Sequence, residues 1–249
     1  MDKYQIRFVN EVDSTNSYAA NLLRSNNKLQ DKLVIAANAQ LAGRGQKGTI
    51  WQSDAGKNIL ISIVLKPESI EAKNSQLLYM VTSLGVIDFV YKYFSENVRI
   101  KWPNDIMIGS SKLAGILIEN EFRGNLLNHT IIGIGININQ KMFGGIENDA
   151  ISLSQITGRE MDINVCIDEF LNEFDHWYKL LLSGELELIQ QTYTKKLYLL
   201  NNKRPYIYQG RTIEAAITGV SDTGSLVLEH QGLPLLINQP KELSYKTMN

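Results

Sequence analysis

Positions 38–51, NAQLAGRGQKGTIW, carry Gly43, Gly45 and Gly48 in a Gly-x-Gly-x-x-Gly arrangement, interleaved with the cations Arg44 and Lys47. Glycines let backbone N–H groups approach a ligand closely, and beside two cations the natural ligand is an anion. Two familiar phosphate-binding schemes nevertheless fail. A dinucleotide fingerprint needs its third glycine to open a crossover helix, and a whole crossover takes at least about 10–12 residues. Here the segment TIWQSDAGKN, which contains an Asp54-Ala55-Gly56 turn, is all that separates Gly48 from the apolar run starting at Ile59. A Walker loop would want Lys-Ser/Thr where Thr49-Ile50 stand. What remains is a flexible loop between two strands, suited either to meeting an anion or simply to closing a hairpin with solvated basic residues.

A second group of charges favours the first reading. KWPND places Lys101 at the end of a buried strand, with Asn104 and Asp105 fixed by the turn after Pro103, and Lys112 follows on the hairpin partner. Two lysines flanking a hairpin beside an aspartate, in strands otherwise made of Ile, Trp, Leu and Gly, form a charged cluster aimed at a ligand. GIGIN adds Gly133 and Gly135 to a strand, where close approach of a backbone or ligand explains the missing side chains. His129, His176 and His230 lack ligand spacing, so no metal or catalytic triad is assigned to them. Cys166 reads as a core thiol, and Arg123, Arg159 and Arg204 as solvated.

These groups need elements to hold them. Asp13 and Ser14, good N-cap types, precede a helix expected over 15–26. Apolar, β-branched runs predict strands over 32–40, 58–66 and 129–139, and helical spacing of Leu77, Met80, Val81, Leu84, Ile87 and Tyr91 predicts a helix over 74–96. Positions 98–122 read as strand, turn, short strand, turn, strand. Two helices are expected over 164–184 and 185–200, with Trp177 and the phenylalanines of the first in the core. From 201 to 245 the pattern changes to four or five short strands separated by glycine and proline turns, which suits a small barrel. Some 50 residues are marginal for independent stability, so this part should pack on the larger one.

The 249 residues, 44% hydrophobic and 20% charged with a net charge of -1, describe an ordinary soluble protein whose bulk charge suggests no nucleic-acid partner. No window reaches the roughly 18 apolar residues of a membrane span, and no signal-peptide pattern is visible, so no membrane partner is expected. The single cysteine fits a reducing compartment, which places the protein in the cytoplasm.

Taken in order, STN, QLAGRGQKGTIW, KWPND, KLAGILIE and GIGIN resemble the motifs of the biotin protein ligases, over most of the chain. The resemblance implies an α+β fold: a mixed β-sheet backed by helices over 1–198, followed by a small C-terminal SH3-like β-barrel over 199–249. It implies that biotin and ATP, with Mg²⁺, are joined as biotinyl-5′-AMP, from which biotin passes to a lysine of a biotin carboxyl carrier domain. It implies a biotin site made by Ser14, Thr15, Asn16, Gln40, Gly43, Arg44, Gly45, Trp51, Lys112 and Gly115. The nucleotide side is Lys47, Gly48, Lys101, Asn104, Asp105 and Asn137, with Asp105 the best single candidate for Mg²⁺.

The chemistry is consistent with this. A carboxylate attacking a phosphoryl group brings anions together, and each such contact at close range costs on the order of several kcal/mol at an effective dielectric near 20. Lys112, Arg44 and Lys101 are therefore expected to converge as the catalytic cations. The mixed anhydride must be shielded from water, which assigns the glycine loop as a lid with Trp51 as its apolar anchor. One departure weakens the expectation of shielding: Gln46 stands where well-known members carry arginine. No general base for the acceptor lysine is evident. About a dozen residues precede Ser14, too few for the winged helix-turn-helix of repressor members, so a ligase without DNA binding is expected. Dimerisation through exposed strand edges is left open. The rival within the fold is a lipoate or octanoate ligase or acyltransferase; outside it stand a non-catalytic binding module and an NAD-dependent oxidoreductase.

Overall fold

The computed structural model describes residues 4–25, 31–67, 69–144 and 150–245, with Lys47 described by its backbone alone. Its elements run β1 (Gln5–Val12), α1 (Thr15–Ser25), β2 (Leu33–Gln40), β3 (Ile59–Leu65), α2 (Leu77–Tyr91), β4 (Val98–Lys101), β5 (Asp105–Ile108), β6 (Ser111–Arg123) and β7 (Leu126–Ile136). Then come α3 (Leu153–Thr157), α4 (Ile163–Leu182), α5 (Leu186–Lys195), β8 (Arg204–Tyr208), β9 (Arg211–Val220), β10 (Leu226–His230), β11 (Leu233–Ile237) and β12 (Leu243–Tyr245). The first seven strands form one sheet in the order β1-β2-β3-β7-β6-β5-β4. Only β1 and β2 are parallel in it, so the sheet is mixed.

Strand period decides what each face of this sheet carries. In β7, Ile132, Ile134 and Ile136 enter the main core, whereas Ile131, Gly133 and Gly135 take the opposite face. β6 repeats the pattern in register: Ala114, Ile116 and Ile118 pack with the core, while Gly115, Leu117 and Glu119 pair across to Gly135, Gly133 and Ile131. The core face is covered by α2, buried nearly all round, and by α4, whose Cys166, Phe170, Phe174, Trp177 and Leu181 recur at helical spacing. Each of these large side chains contributes about 1.5–3 kcal/mol by leaving water. The opposite face is covered at one end by α1 through Ala19 and Leu23, and beyond α1 its glycines leave a hollow.

Two elements escaped the sequence reading. β1 is an edge strand whose residues alternate poorly between exposed and half-buried. α3 is short but carries a capping box between Ser152 and Gln155, and Gly158 ends it at φ 73°. Arg204, expected to be solvated, is half-buried in β8 because it starts a strand that packs on the main body.

The last five strands form an antiparallel sheet, order β11-β10-β9-β8-β12. It shares one continuous core with the first sheet, through Tyr206, Ile217, Leu226 and Leu243. Polar ties fix it further: the Trp102 indole donates to the Gly224 carbonyl at 3.0 Å, and the Gln76 amide to that of Asp222 at 2.7 Å. The β4–β5 turn is thereby held against the C-terminal sheet, which matters for the site.

One carboxylate joins the outer strands to α4. Asp175 accepts from Lys32 Nζ (3.2 Å) and from Tyr4 Oη (3.4 Å), and pairs with Lys179. Burial raises its pKa, but hydrogen bonding to Lys179 and Lys32 outweighs burial and leaves it below the ordinary aspartate value. A depressed carboxylate contributes stability that is present above the unfolded pKa of about 3.9 and is lost as pH falls through the folded value. Asp175→Asn should therefore flatten the acid limb of the stability curve, measured by urea unfolding between about pH 2 and pH 5. An unchanged acid limb would show that this cluster contributes nothing to acid sensitivity.

Candidate active site

The hollow is a cavity of about 320 Å³, lined at one end by the start of α1, on its floor by β6 and β7, and above by the β2–β3 loop. The first end is a chain of polar side chains. Gln40 Oε1, at the end of β2, accepts from Thr15 N (2.8 Å) and Thr15 Oγ1 (3.1 Å). Ser62 Oγ, on β3, lies 2.7 Å from Thr15 Oγ1 and 2.6 Å from Asn16 Oδ1. Asn16 Nδ2 donates to Glu119 Oε2 (2.7 Å) and to the Leu117 carbonyl (3.3 Å). Gly133 is required here, since a Cβ at that position would fall 2.3 Å from Asn16 Oδ1. Ser14 completes this end and is buried.

Trp51 makes the waist. Its indole lies over the paired strands at Gly115 and Gly135, and a Cβ on Gly135 would come within 2.5 Å of the ring. The buried indole N–H has no partner among the described residues. A donor in that state costs roughly 1–3 kcal/mol until something meets it.

The far end is ionic. Lys112 Nζ lies 2.9 Å from Asp105 Oδ1, off the line of a hydrogen bond, and 5.6 Å from the centroid of the Trp51 ring. Asn104 shares this end, its amide donating to the Ile116 carbonyl at 3.0 Å. Pro240 and Lys241 reach the same wall from just before β12.

The β2–β3 loop closes on itself rather than running into a crossover helix. Arg44 and Ile50 form a bridge, Gly45 N donates to Thr49 O (2.7 Å), Trp51 N donates to Gly43 O (2.9 Å), and a three-residue 3-10 turn occupies Gln46–Gly48. Arg44 crosses the cavity mouth to Glu119 Oε2 at 2.8 Å. Gln46, the departure from the arginine pattern, sends its amide to the Tyr79 hydroxyl at 3.4 Å. Tyr79 also accepts from Ile118 N and is half-buried, and the loss of water around its hydroxyl raises its pKa.

Of the residues expected at the site, Ser14, Thr15, Asn16, Gln40, Arg44, Gly45, Trp51, Asn104, Asp105, Lys112 and Gly115 line this one cavity. Four others lie elsewhere. Lys101 stacks over the Tyr245 ring at 5.0 Å and lines an adjoining cavity of about 350 Å³ between the β4–β5 turn and β12, so the expected convergence of three cations does not include it. Asn137 is buried, with its amide directed to the Lys112 and Ile151 carbonyls at 3.4 and 3.2 Å. Gly43 supports the loop from behind and Gly48 sits on its exposed turn at φ 86°. The Lys47 side chain lies outside the described residues.

Several lining or supporting residues escaped the sequence reading, Ser62, Glu119 and Lys241 among them. Ser62 is the one polar residue in ILISIVL, a signal that was visible. Glu119 follows Gly115 and Leu117 on the ligand face, visible once the strand period is applied. Lys241 had no local signal, because only tertiary packing brings it to the cavity. Among the described residues no three His, Cys, Asp or Glu side chains gather as a metal site. No helix there is long and apolar enough to cross a membrane.

The arrangement suits a molecule with a hydrogen-bonding head, an apolar middle and an anionic end. Comparison with known proteins gives the same direction. Residues 8–137 match the model of the biotin/lipoate A/B protein ligase family. The chain is 32% identical to the bifunctional ligase/repressor BirA of Bacillus spizizenii, across 89% of this chain and 68% of that protein. It is 30% identical to the biotin–[acetyl-CoA-carboxylase] ligase of Paracoccus denitrificans, across 87% and 91%. The biotin protein ligase of Aquifex aeolicus, solved with biotin and ATP, superposes with a TM-score of 0.80 over 96% of this chain and 97% of that one, at 24% identity, and so shares the fold.

Proposed function

This chain belongs to the biotin/lipoate A/B protein ligase family, and from that premise we propose that it activates biotin with ATP and transfers it to a lysine of a biotin carboxyl carrier domain. One observation supports this most: a buried amide and hydroxyl network at one end of the cavity faces an ionic end across a tryptophan waist. In the first step a biotin carboxylate oxygen bonds to the α-phosphorus of ATP and pyrophosphate leaves. In the second, an acceptor amine attacks the acyl carbon and AMP leaves.

The head of biotin is a cyclic urea that both donates and accepts hydrogen bonds, which Ser14, Thr15, Asn16 and Gln40 can answer. Octanoate or lipoate would bring an apolar end to this network and leave buried polar groups unmet, at roughly 1–3 kcal/mol each. That favours biotin over the long-chain acids.

Lys112 at the ionic end and Arg44 at the mouth are each balanced by a carboxylate, Asp105 and Glu119. Incoming phosphate and carboxylate oxygens would compete with these carboxylates for the two cations. We assign Lys241, which lines this wall, as the third cation here in place of Lys101. A charge-assisted contact is worth about 1.5–3 kcal/mol, so Lys241→Ala should raise the KM for ATP by about tenfold or more with little change for biotin. An equal effect from Lys101→Ala and none from Lys241→Ala would reverse that assignment.

Mg²⁺ fits as a partner of the phosphates. Such ions bind through one or two carboxylates plus substrate oxygens, and Asp105 supplies one. When bound, the ion would neutralise the departing pyrophosphate. Residues 1–198 would form the catalytic domain, and 199–249 a barrel that walls its nucleotide end. The single thiol supports a cytoplasmic setting. The reading is tested by incubating the protein with ATP, Mg²⁺, biotin and a carrier domain. A carrier mass gain of one biotinyl group is expected; a carrier left unmodified while the protein is folded refutes it.

A further inference from the structure

Glu119 takes no part in the two steps above, yet its position is unusual. It stands on the ligand face of β6, and its single oxygen Oε2 accepts from two different parts of the molecule. One donor is Asn16 Nδ2 at 2.7 Å, buried at the polar end and belonging to α1. The other is Arg44 Nη2 at 2.8 Å, on the glycine loop at the mouth. Floor and loop thus meet at one carboxylate. The Asn16 bond has a geometric consequence as well: with Nδ2 held by Glu119 and the Leu117 carbonyl, Oδ1 is turned to Ser62.

We propose that Glu119 is a positioning residue that serves both the substrate-head site and the lid, holding the Asn16 amide in register while tethering the 43–51 loop of the substrate-free protein through Arg44. The substrate half of this rests on the biotin-ligase reading; the tether is a property of the chain alone. A carboxylate suits both tasks, because it accepts from a cation and an amide together and donates to neither. When substrate anions draw Arg44 inward, Glu119 loses its cation and keeps Asn16, so the lid can change partner without disturbing the head site.

Two variants separate the tasks. Glu119→Gln keeps an acceptor for Asn16 but removes the charge that holds Arg44; Glu119→Ala removes both. Hydrogen–deuterium exchange of the substrate-free protein reads the tether directly at the amides of Gly45 and Trp51, which are bonded within the loop. The ion pair is about two-fifths exposed on each side, so loop exchange should quicken about threefold in both variants, while β6 and β7 exchange as before. Steady-state kinetics reads the other half. The KM for biotin should rise about tenfold in Glu119→Ala and much less in Glu119→Gln.

Loop exchange at the wild-type rate in both variants overturns the tether. Equal biotin KM values in the wild type and Glu119→Ala overturn the positioning of Asn16. Exchange measured without substrates stands whatever the cavity binds, so loss of the ligase reading would show separately, as a wild-type protein with no biotin-dependent reaction.

Discussion

Lys112→Ala should lose adenylate formation almost completely, with a single-turnover rate of biotinyl-adenylate synthesis lower by about 10²–10³. The expectation comes from where the ammonium sits. It is held between the Asp105 carboxylate at 2.9 Å and the face of Trp51, at the end of the cavity where carboxylate and phosphate must meet. Two like charges about 4 Å apart repel by about 4 kcal/mol at an effective dielectric near 20, and a fixed cation there cancels that repulsion without reorganising water. The fold should survive, since Lys112 and Asp105 line the cavity and stand outside the hydrophobic core. Rapid-quench measurement of the adenylate, beside a melting curve, checks both statements. A variant that forms the adenylate at the wild-type rate would remove Lys112 from the chemistry.

Gly133→Ala should be nearly as damaging through the opposite end of the cavity. Its added methyl would lie 2.3 Å from Asn16 Oδ1, and Asn16 is buried and tied to Ser62, Leu117 and Glu119, so it has little room to retreat. Displacing it breaks at least two hydrogen bonds of the head network, which together are worth about 2–3 kcal/mol, or about a hundredfold in kcat/KM for biotin. A double-mutant cycle with Asn16→Gly isolates the clash. If steric conflict is the cause, adding Gly133→Ala to Asn16→Gly should cost almost nothing further. Full additivity in that cycle would place the damage elsewhere in β7.

Much of this geometry was visible in the sequence once the strand period was applied. In HTIIGIGI the isoleucines and glycines alternate, so the same two-residue repeat that builds the core on one face clears space on the other. KLAGILIE does so in the neighbouring strand, and the pairing of Gly115 with Gly135 follows from the two hollows being adjacent. Likewise the shortness of the segment after Gly48 already ruled out a crossover helix, and the loop indeed closes by an Arg44–Ile50 bridge.

What stayed hidden depended on tertiary structure. Lys101 and Lys112 look alike in sequence, as cations flanking one hairpin. The C-terminal sheet separates them, with Tyr245 against Lys101 and Lys241 brought to the first cavity. No periodicity within 98–122 encodes that. Asn137 was drawn toward the nucleotide side by its place in GIGIN, but the chain after β7 turns so that its amide ties down Lys112 O and Ile151 O. β1 was missed because an edge strand that is solvated along much of its length lacks the apolar alternation that marks buried strands.

The most direct measurement is biotin-dependent exchange of radiolabelled pyrophosphate into ATP, with octanoate and lipoate in parallel. Exchange with biotin, near-absence with the two long-chain acids, and loss of the biotin signal in Lys112→Ala are the predicted results. A folded protein that shows no exchange with biotin, or that exchanges equally well with octanoate, would contradict a cavity built to join this acid to a nucleotide.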